Sequence, residues 1–292
     1  MRKKKLRLNY SIYFILPALV IYIIFNISPL LAGFVYSFTN WTSISPEIKF
    51  IGIEQFKRIF SLNYFGLALK NTIFFTVSTT AFRLALGLML ALILNRAMKS
   101  KNILRSIFFV PTLINNIVLG LVFQKILADQ GLLNRILTTI GLDVLSQGWL
   151  TDPSLAIWSV SFLEIWKWTG QMMIIFLAGL QGVPHEYYEA ADIDGANAIK
   201  KFRHVTFPLI RPSFNINLLI CLIWGIRVFD IVFALTGGGP GRASEVLNTI
   251  VFEALGNGFY GYGAAVNLII VIMIIGISLP LLKFLKRGET EL

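Results

Sequence analysis

The chain alternates between long apolar stretches and short polar segments. Six of the apolar stretches are long enough to cross the ~30 Å hydrocarbon core of a bilayer as helices that rise ~1.5 Å per residue. The stretches lie near Tyr13–Val35, Thr72–Leu94, Ile107–Ile126, Ser154–Leu180, Phe214–Leu235 and Ala264–Phe284. This pattern predicts an all-α polytopic membrane protein with six transmembrane helices.

The polar segments between these stretches are too short to form a soluble domain of ordinary size. We therefore expect residues 1–292 to form a single transmembrane domain. The first stretch follows a basic head, but it is much longer than the ~7–15 apolar residues of a secretory signal. No small-x-small cleavage site follows it, so we expect it to stay as an anchor.

Composition and charge support a membrane protein. The chain is 56% hydrophobic and 14% charged, whereas soluble domains are about 45–50% apolar and about 25% charged. Of its 26 Lys and Arg residues, most lie on the side of the membrane that holds both termini: Arg2, Lys3, Lys4, Lys5, Arg7, Arg96, Lys99, Lys101, Arg105, Lys200, Lys201, Arg203, Arg211, Lys283, Lys286 and Arg287. The positive-inside rule makes this side cytoplasmic. The net charge of +11 therefore indicates membrane topology and anionic lipid, not nucleic acid.

Polar side chains inside the predicted spans mark a candidate transport pathway. A charge at mid-membrane costs ~2.5–3.5 kcal/mol on insertion scales, so it usually faces the bundle interior or water. The candidates are Arg83, Asn115, Asn116, Glu164, Lys167, Trp168, Trp224, Arg227 and Asp230. The amide pair follows a proline and needs partners from neighbouring helices.

Two interpretations of the charged group remain open. In the functional one, these residues line a polar cavity and bind a carbohydrate, with Trp168 or the second indole stacking on a sugar face and Glu164 paired with Arg227. In the structural one, each charge is neutralised within its own helix, Glu164 by Lys167 and Arg227 by Asp230. The i, i+3 spacing of these charged residues is compatible with both interpretations.

The segment between the fourth and fifth stretches, residues 185–208, is expected on the cytoplasmic side. Acidic residues crowd the first turns of a helix that starts near Pro184, which suits the positive end of the helix. Gly195 can adopt the left-handed conformation that ends a helix. Ala190 and Ala191 leave little side-chain bulk, so a partner's groove can approach the backbone closely.

This segment also carries a spaced motif: Glu189-Ala190-Ala191, three residues, Gly195, nine residues, and then Val205-x-Phe207-Pro208. The motif resembles the cytoplasmic EAA loop of permease subunits in binding-protein-dependent ABC importers, which ends in Ile-x-Leu-Pro. Further segments, notably Leu235 to Gly241 and Gly261 to Ala265, are similar to those of sugar-importing permeases. The resemblance covers most of the chain.

The resemblance implies the type I ABC importer permease fold in a bacterial or archaeal cytoplasmic (inner) membrane. It implies a homologous second permease, two cytoplasmic ATPases that bind ATP and Mg, and an extracytoplasmic sugar-binding protein. The residues it assigns to ATPase coupling are Glu189, Ala190, Ala191, Asp194, Gly195 and Pro208. Glu189 would anchor the loop by charge-assisted hydrogen bonds, and Gly195 would set its bend.

The sequence lacks the motifs of metal binding, nucleophilic catalysis and nucleotide binding. The lone Cys221 lies in a predicted span and is expected to be a buried structural thiol. The two histidines, His185 and His204, have no metal-ligand spacing. Neither a nucleophile elbow nor a phosphate-binding Gly-x-x-x-x-Gly-Lys-Ser/Thr occurs in the sequence. We expect a non-catalytic subunit without a metal or cofactor of its own, whose partner hydrolyses ATP.

An alternative is a secondary transporter driven by an ion gradient, with Glu164 or Asp230 as the carrier carboxylate. Such a transporter would show inverted repeats with broken helices, and the sequence contains no convincing repeat. An intramembrane enzyme would need paired metal-binding carboxylates or a nucleophile motif in the spans, and the sequence has neither.

Overall fold

The computed structural model describes residues 15–45, 47–96 and 98–287. The basic N-terminal head and Tyr13, which entered the topology and span predictions, lie outside these residues. The regular secondary structure of the described residues is helical, apart from one isolated antiparallel bridge between Thr39 and Phe50. In chain order its helices are α1 Leu16–Tyr36, α2 Glu54–Ser61, α3 Asn63–Leu94, α4 Lys101–Phe109, α5 Asn116–Ile126, α6 Leu132–Thr139, α7 Ala156–Gln181, α8 Glu186–Ile193, α9 Ala198–Leu209, α10 Arg211–Ile226, α11 Asp230–Thr236, α12 Leu247–Gly256 and α13 Tyr260–Arg287.

The helices differ in whether they are long and apolar enough to span a membrane. Among the described residues, α1, α3 and α13 are each long and apolar enough to cross one. Two pairs reach that length only together: Lys101–Leu113 with α5, bent by 95°, and α9 with α10, bent by 70°. Helix α7 covers the fourth predicted span and has 26 residues, but it carries many polar side chains. The six-span count therefore stays a prediction.

The third predicted span, Ile107–Ile126, is not one helix. A 3-10 turn at Val110–Leu113 follows α4, and the chain then turns sharply into α5. Pro111 has no N–H to continue the helix. Asn115 caps α5, because its side-chain oxygen accepts a hydrogen bond of 2.8 Å from the backbone N–H of Ile117.

The fifth predicted span, Phe214–Leu235, is also wrong as a single helix. Helix α10 ends at Ile226, and Phe229 (φ −149°, ψ −63°) separates it from α11. Arg227 and Asp230 are consequently not neighbours on one helical face. The break lies between two charged residues, Arg227 and Asp230, in an otherwise apolar stretch, so hydropathy alone does not reveal it. Packing explains it, since Val228 and Ile231 on either side of Phe229 enter the same buried cluster.

A polar layer separates two apolar clusters along α3 and α7. One cluster contains Phe75 and Leu163, and the other, further along both helices, contains Leu84 and Met172. Between them lie buried polar side chains: Thr79, Thr80, Arg83, Glu164 and Lys167. Helix α10 packs along α3, and a third cluster joins α2, α3, α12 and α13. The fold thus places the charges of Arg83, Glu164 and Lys167 between the two apolar clusters.

Candidate functional site

The break between α10 and α11 forms part of the wall of a polar cavity. The cavity has a volume of about 290 Å³. It is lined by Asn116, Glu164, Trp168, Trp224, Arg227, Val228, Phe229, Asp230 and Ile231. Side chains from four helices, α5, α7, α10 and α11, and from the connection between the last two converge there. Most of the polar residues singled out in the sequence therefore meet at one place.

Asn116 connects two charged groups of this site. Its Nδ2 donates to Asp230 Oδ2 at 3.4 Å, and its Oδ1 accepts a hydrogen bond from Lys167 Nζ. The same ammonium donates to the carbonyl of Ile114 at 2.6 Å. Lys167 thus lies behind the wall and ties α7 to the bend before α5. Its partners are an amide and a carbonyl rather than Glu164.

The two tryptophans form one wall of the cavity. The ring centroids of Trp168 and Trp224 are 4.7 Å apart with the planes tilted by 57°. Lys167 Nζ lies 4.8 Å from the centroid of the Trp168 ring, a cation–π contact. The indoles are therefore packed against each other and against the ammonium, and the stacking on a sugar that the sequence predicted stays a prediction.

Glu164 is paired differently from the predicted arrangement. Its Oε1 lies 3.7 Å from Nη2 of Arg83, a residue of α3 with no exposed surface. Within the described ranges, Glu164 forms no ion pair with Arg227 or Lys167, and Arg227 forms none with Asp230. None of these three pairings is present in the described residues, because packing of α3 against α7 decides which charge meets the carboxylate.

Two further features of the site were not evident from the sequence. Phe229, at the helix break, lines the cavity although its residue type carries no polar signal. A neighbouring cavity of about 670 Å³ shares Arg227, Phe229 and Asp230 with the first. Asn115, by contrast, is exposed and acts as the cap of α5, outside the lining of both cavities. In the described part of the chain, no group of three or more His, Cys, Asp or Glu is placed to hold a metal ion.

The predicted cytoplasmic loop forms two short helices joined at a glycine. Helix α8 ends at Ile193, Asp194 is its C-cap, and Gly195 has φ +67°. Helix α9 contains a π turn at Phe202–Thr206 and includes Pro208. Two contacts hold α8 against α9: a 3.1 Å hydrogen bond between the hydroxyls of Tyr188 and Thr206, and an ion pair between Lys201 and Asp192.

The outer surface of this loop is accessible. Glu189 is exposed, and its Oε1 lies 3.0 Å from Nδ1 of the exposed His185, the residue before α8. Ala190 is exposed and Ala191 is 9% exposed, so the first alanine faces outward and the second faces the protein. Two apolar side chains at the tip, Ile193 and Ile199, are 88% and 76% exposed. These isoleucines were not singled out in the sequence.

The polar cavity at broken helices and the exposed loop are the features of a membrane transport subunit. A family model described as the binding-protein-dependent transport system inner membrane component matches residues 83–286, more than half of the chain. The chain belongs to this family. The predicted resemblance to permease subunits of ABC importers is confirmed.

Several curated proteins are similar over nearly the whole chain. A probable ABC transporter permease protein of Bacillus subtilis is 36% identical, covering 95% of this chain and 96% of that protein. The trehalose/maltose transport system permease protein of Thermococcus litoralis is 33% identical, covering 92% and 91%. The arabinooligosaccharides transport system permease protein of Bacillus subtilis is 34% identical, covering 92% and 86%.

A solved structure supports the fold. A chain of a bacterial ABC transporter involved in the import of the acidic polysaccharide alginate superposes with a TM-score of 0.83 at 24% identity, covering 94% of each chain. The fold class predicted from the sequence is therefore confirmed.

Proposed function

We propose that this chain is the transmembrane permease subunit of an ATP-driven carbohydrate importer and forms the translocation pathway with a second, homologous permease. The observation that carries the proposal is the polar cavity, whose carboxylate, amide and guanidinium groups surround a small space beside two indoles. Ligand sites typically combine apolar walls with a few placed polar groups, and sugar hydroxyls both donate and accept hydrogen bonds. The relatives named for trehalose, maltose and arabinooligosaccharides support this substrate class.

In this proposal Asn116, Glu164, Arg227 and Asp230 face the sugar, while Lys167 positions the amide. Both Arg227 and Asp230 are exposed and border the two neighbouring cavities. A saccharide of more than one ring therefore has room to extend from the smaller cavity into the larger one.

The loop of α8 and α9 would dock in a groove of a cytoplasmic ATPase. Ile193 and Ile199 supply exposed apolar contacts, and Glu189 supplies a carboxylate for a charge-assisted hydrogen bond. Because α9 leads directly into α10, which ends beside Arg227, movement of the loop would reach the cavity through one connected segment. An extracytoplasmic binding protein would deliver the sugar on the other side.

Docking of the loop is tested by cross-linking. In a Cys221→Ala background, which removes the single cysteine, Ala190→Cys carrying a maleimide–benzophenone probe should cross-link to the ATPase on irradiation. The matched control is Asn257→Cys, an exposed residue between α12 and α13 on the opposite predicted side. Equal cross-linking yields from both positions would refute the docking assignment.

The transport function is tested by purification from the native membrane in mild detergent and identification of the co-purifying chains. Maltose, trehalose and arabinooligosaccharides are then offered to the co-purified binding protein and to the complex in liposomes. ATP-dependent uptake without an ion gradient is expected, and Asp230→Asn should lower it. Uptake that ignores ATP and follows an ion gradient would support the secondary transporter instead.

A further inference from the structure

Arg83 is the largest side chain in the described residues that has almost no exposed surface. It lies on α3 in the polar layer between the two apolar clusters. Its Nε donates to the carbonyl of Thr79 at 3.2 Å, one turn back on the same helix. Its two terminal nitrogens, Nη1 and Nη2, make no hydrogen bond. The guanidinium is therefore buried with most of its donor capacity unused.

Glu164 lies on the other side of this contact, on the cavity wall. Its side chain is 6% exposed, and its Oε2 has no hydrogen-bond partner. A buried carboxylate needs a charge partner, because removing an unpaired charge from water is very unfavourable. Of the residues that the structure describes, only Arg83 forms an ion pair with Glu164.

The separation within the pair is informative. The 3.7 Å between Arg83 Nη2 and Glu164 Oε1 exceeds the ~2.7–2.9 Å of a charge-assisted hydrogen bond. The guanidinium thus compensates the charge of Glu164 without occupying its oxygens. One carboxylate oxygen, Oε2, is buried and accepts no hydrogen bond from the described residues, and Glu164 lines the cavity.

The other charged groups of the site do not form an ion pair with Glu164 in the described residues. Lys167 is bound by Asn116 and by the carbonyl of Ile114, and Asp230 accepts from Asn116. Arg227 lies on the exposed side of the cavity. Arg83 is the charge that reaches Glu164 from inside the protein.

We propose that Arg83 is a positioning residue for the transport pathway. It places its positive charge beside Glu164 on the cavity wall and leaves the carboxylate to accept a hydrogen bond from a substrate hydroxyl, and it does not itself contact the substrate. This inference rests on the proposed function, in which Glu164 faces the sugar. Binding of the substrate hydroxyl would then depend on Arg83 of α3, outside the cavity lining, as well as on Glu164 of α7.

A paired set of variants separates positioning from structural support. Arg83→Met and Glu164→Gln each leave one buried charge unpaired, so both should reduce the amount of assembled complex. The double variant removes both charges with little change in volume and should restore assembly. Arg83→Lys keeps the charge and should retain part of the function.

The readout is sugar delivered per ATP hydrolysed by the complex with its ATPase and binding protein in liposomes, with maltose, trehalose and arabinooligosaccharides as probes. A structural defect lowers uptake and hydrolysis together and leaves this ratio unchanged. Loss of a hydrogen bond to a charged group corresponds to about tenfold. We expect the ratio to fall about tenfold in both single variants and in the assembled double variant.

Each contrary result has a distinct meaning. A double variant that regains the wild-type ratio would make the pair structural and overturn the inference. A normal ratio in Arg83→Met with a low one in Glu164→Gln would overturn the positioning role and leave the proposed function standing. A normal ratio in Glu164→Gln would remove Glu164 from the pathway. Wild-type complex that takes up none of the sugars with ATP would contradict the proposed function itself.

Discussion

Lys167 illustrates how a single side chain can hold a bent segment in place. It is 2% exposed, and its ammonium donates to the carbonyl of Ile114 and to the amide of Asn116. A second contact joins the same surfaces, since the hydroxyl of Thr112 donates to the carbonyl of Lys167 at 3.1 Å. The bend before α5 is therefore fixed to α7 by polar contacts inside an otherwise apolar bundle.

Removing this ammonium should destabilise the permease. In Lys167→Met, two part-buried acceptors lose a charged donor, and a hydrogen bond to a charged group contributes about 1.5–3 kcal/mol. We expect a loss of about 2–3 kcal/mol, seen as a lower thermal midpoint of the purified protein in detergent. The control is Lys70→Met, which removes an exposed lysine of α3. If both variants melted together, the polar contacts at the bend would be energetically unimportant.

Residue type predicted the members of the cavity but not their pairing. Asn116, Glu164, Arg227 and Asp230 stood out because charges and amides are unusual inside apolar spans, and the structure brings them together. The partner of Glu164 depends on how α3 and α7 are packed. Arg83 is distant in sequence from Glu164, and no local spacing joins them.

At the scale of elements, α3 and α7 approach closely at a glycine. A Cβ atom added at Gly87 would lie 2.7 Å from Cβ of Met172 and 3.2 Å from the backbone nitrogen of Met173. Such contacts are too short for α7 to tolerate without moving. Gly66, on the same helix α3, has nothing within 4 Å of the equivalent position.

The two glycines form a matched pair of substitutions. Gly66→Ala should be neutral or stabilise α3 by about 0.5–1 kcal/mol, because alanine restricts the unfolded chain. Gly87→Ala should destabilise by about 1–3 kcal/mol through overpacking. Urea or thermal unfolding of the detergent-solubilised protein measures both, and a stabilising Gly87→Ala would show that α7 can shift at no cost.

The junction of α8 and α9 requires a left-handed backbone conformation, but it leaves room for a side chain. Gly195 has φ +67°, yet nothing lies within 4 Å of its added Cβ. Gly195→Val should therefore strain the junction by about 1–2 kcal/mol without a clash, and Gly195→Asn should be tolerated better. We expect ATP hydrolysis by the complex to continue while uptake falls in the valine variant. Wild-type uptake per ATP in that variant would deny the junction a role in coupling.

Apolar periodicity identified most helices but not the breaks within them. The predicted fourth span corresponds to α7, and the second and sixth predicted spans lie within the longer helices α3 and α13. Pro111 offered a local signal for the first break. At the second break, Val228 and Phe229 lie between two charged residues without a proline, and tertiary packing against α3 and α7 stabilises the break.

At the scale of the molecule, the most apolar surfaces are the least covered. In the most apolar 18-residue segment of each helix, no residue of α1 is buried. The buried share is 6% in α13 and 39% in α3. These surfaces are exposed to whatever surrounds the chain, as expected for helices that face lipid or a partner subunit. The bundle thus has an apolar periphery around a core of apolar clusters and one polar layer.

This arrangement leads to a topology that can be measured. If both termini are cytoplasmic, the α8–α9 loop lies on that side and the turn between α12 and α13 on the other. In a Cys221→Ala background, a membrane-impermeant maleimide applied to right-side-out vesicles should label Asn257→Cys and spare Ala190→Cys. Both residues are exposed, so access through the membrane, rather than burial, decides the result.

Permeabilised vesicles supply the control, because both cysteines should then react. The opposite pattern, with Ala190→Cys labelled in intact vesicles, would place the loop outside and contradict docking to a cytoplasmic ATPase. It would also show that the basic residues do not set the orientation, since the positive-inside rule alone assigns this side. Labelling therefore tests the charge argument and the proposed coupling loop in the same experiment.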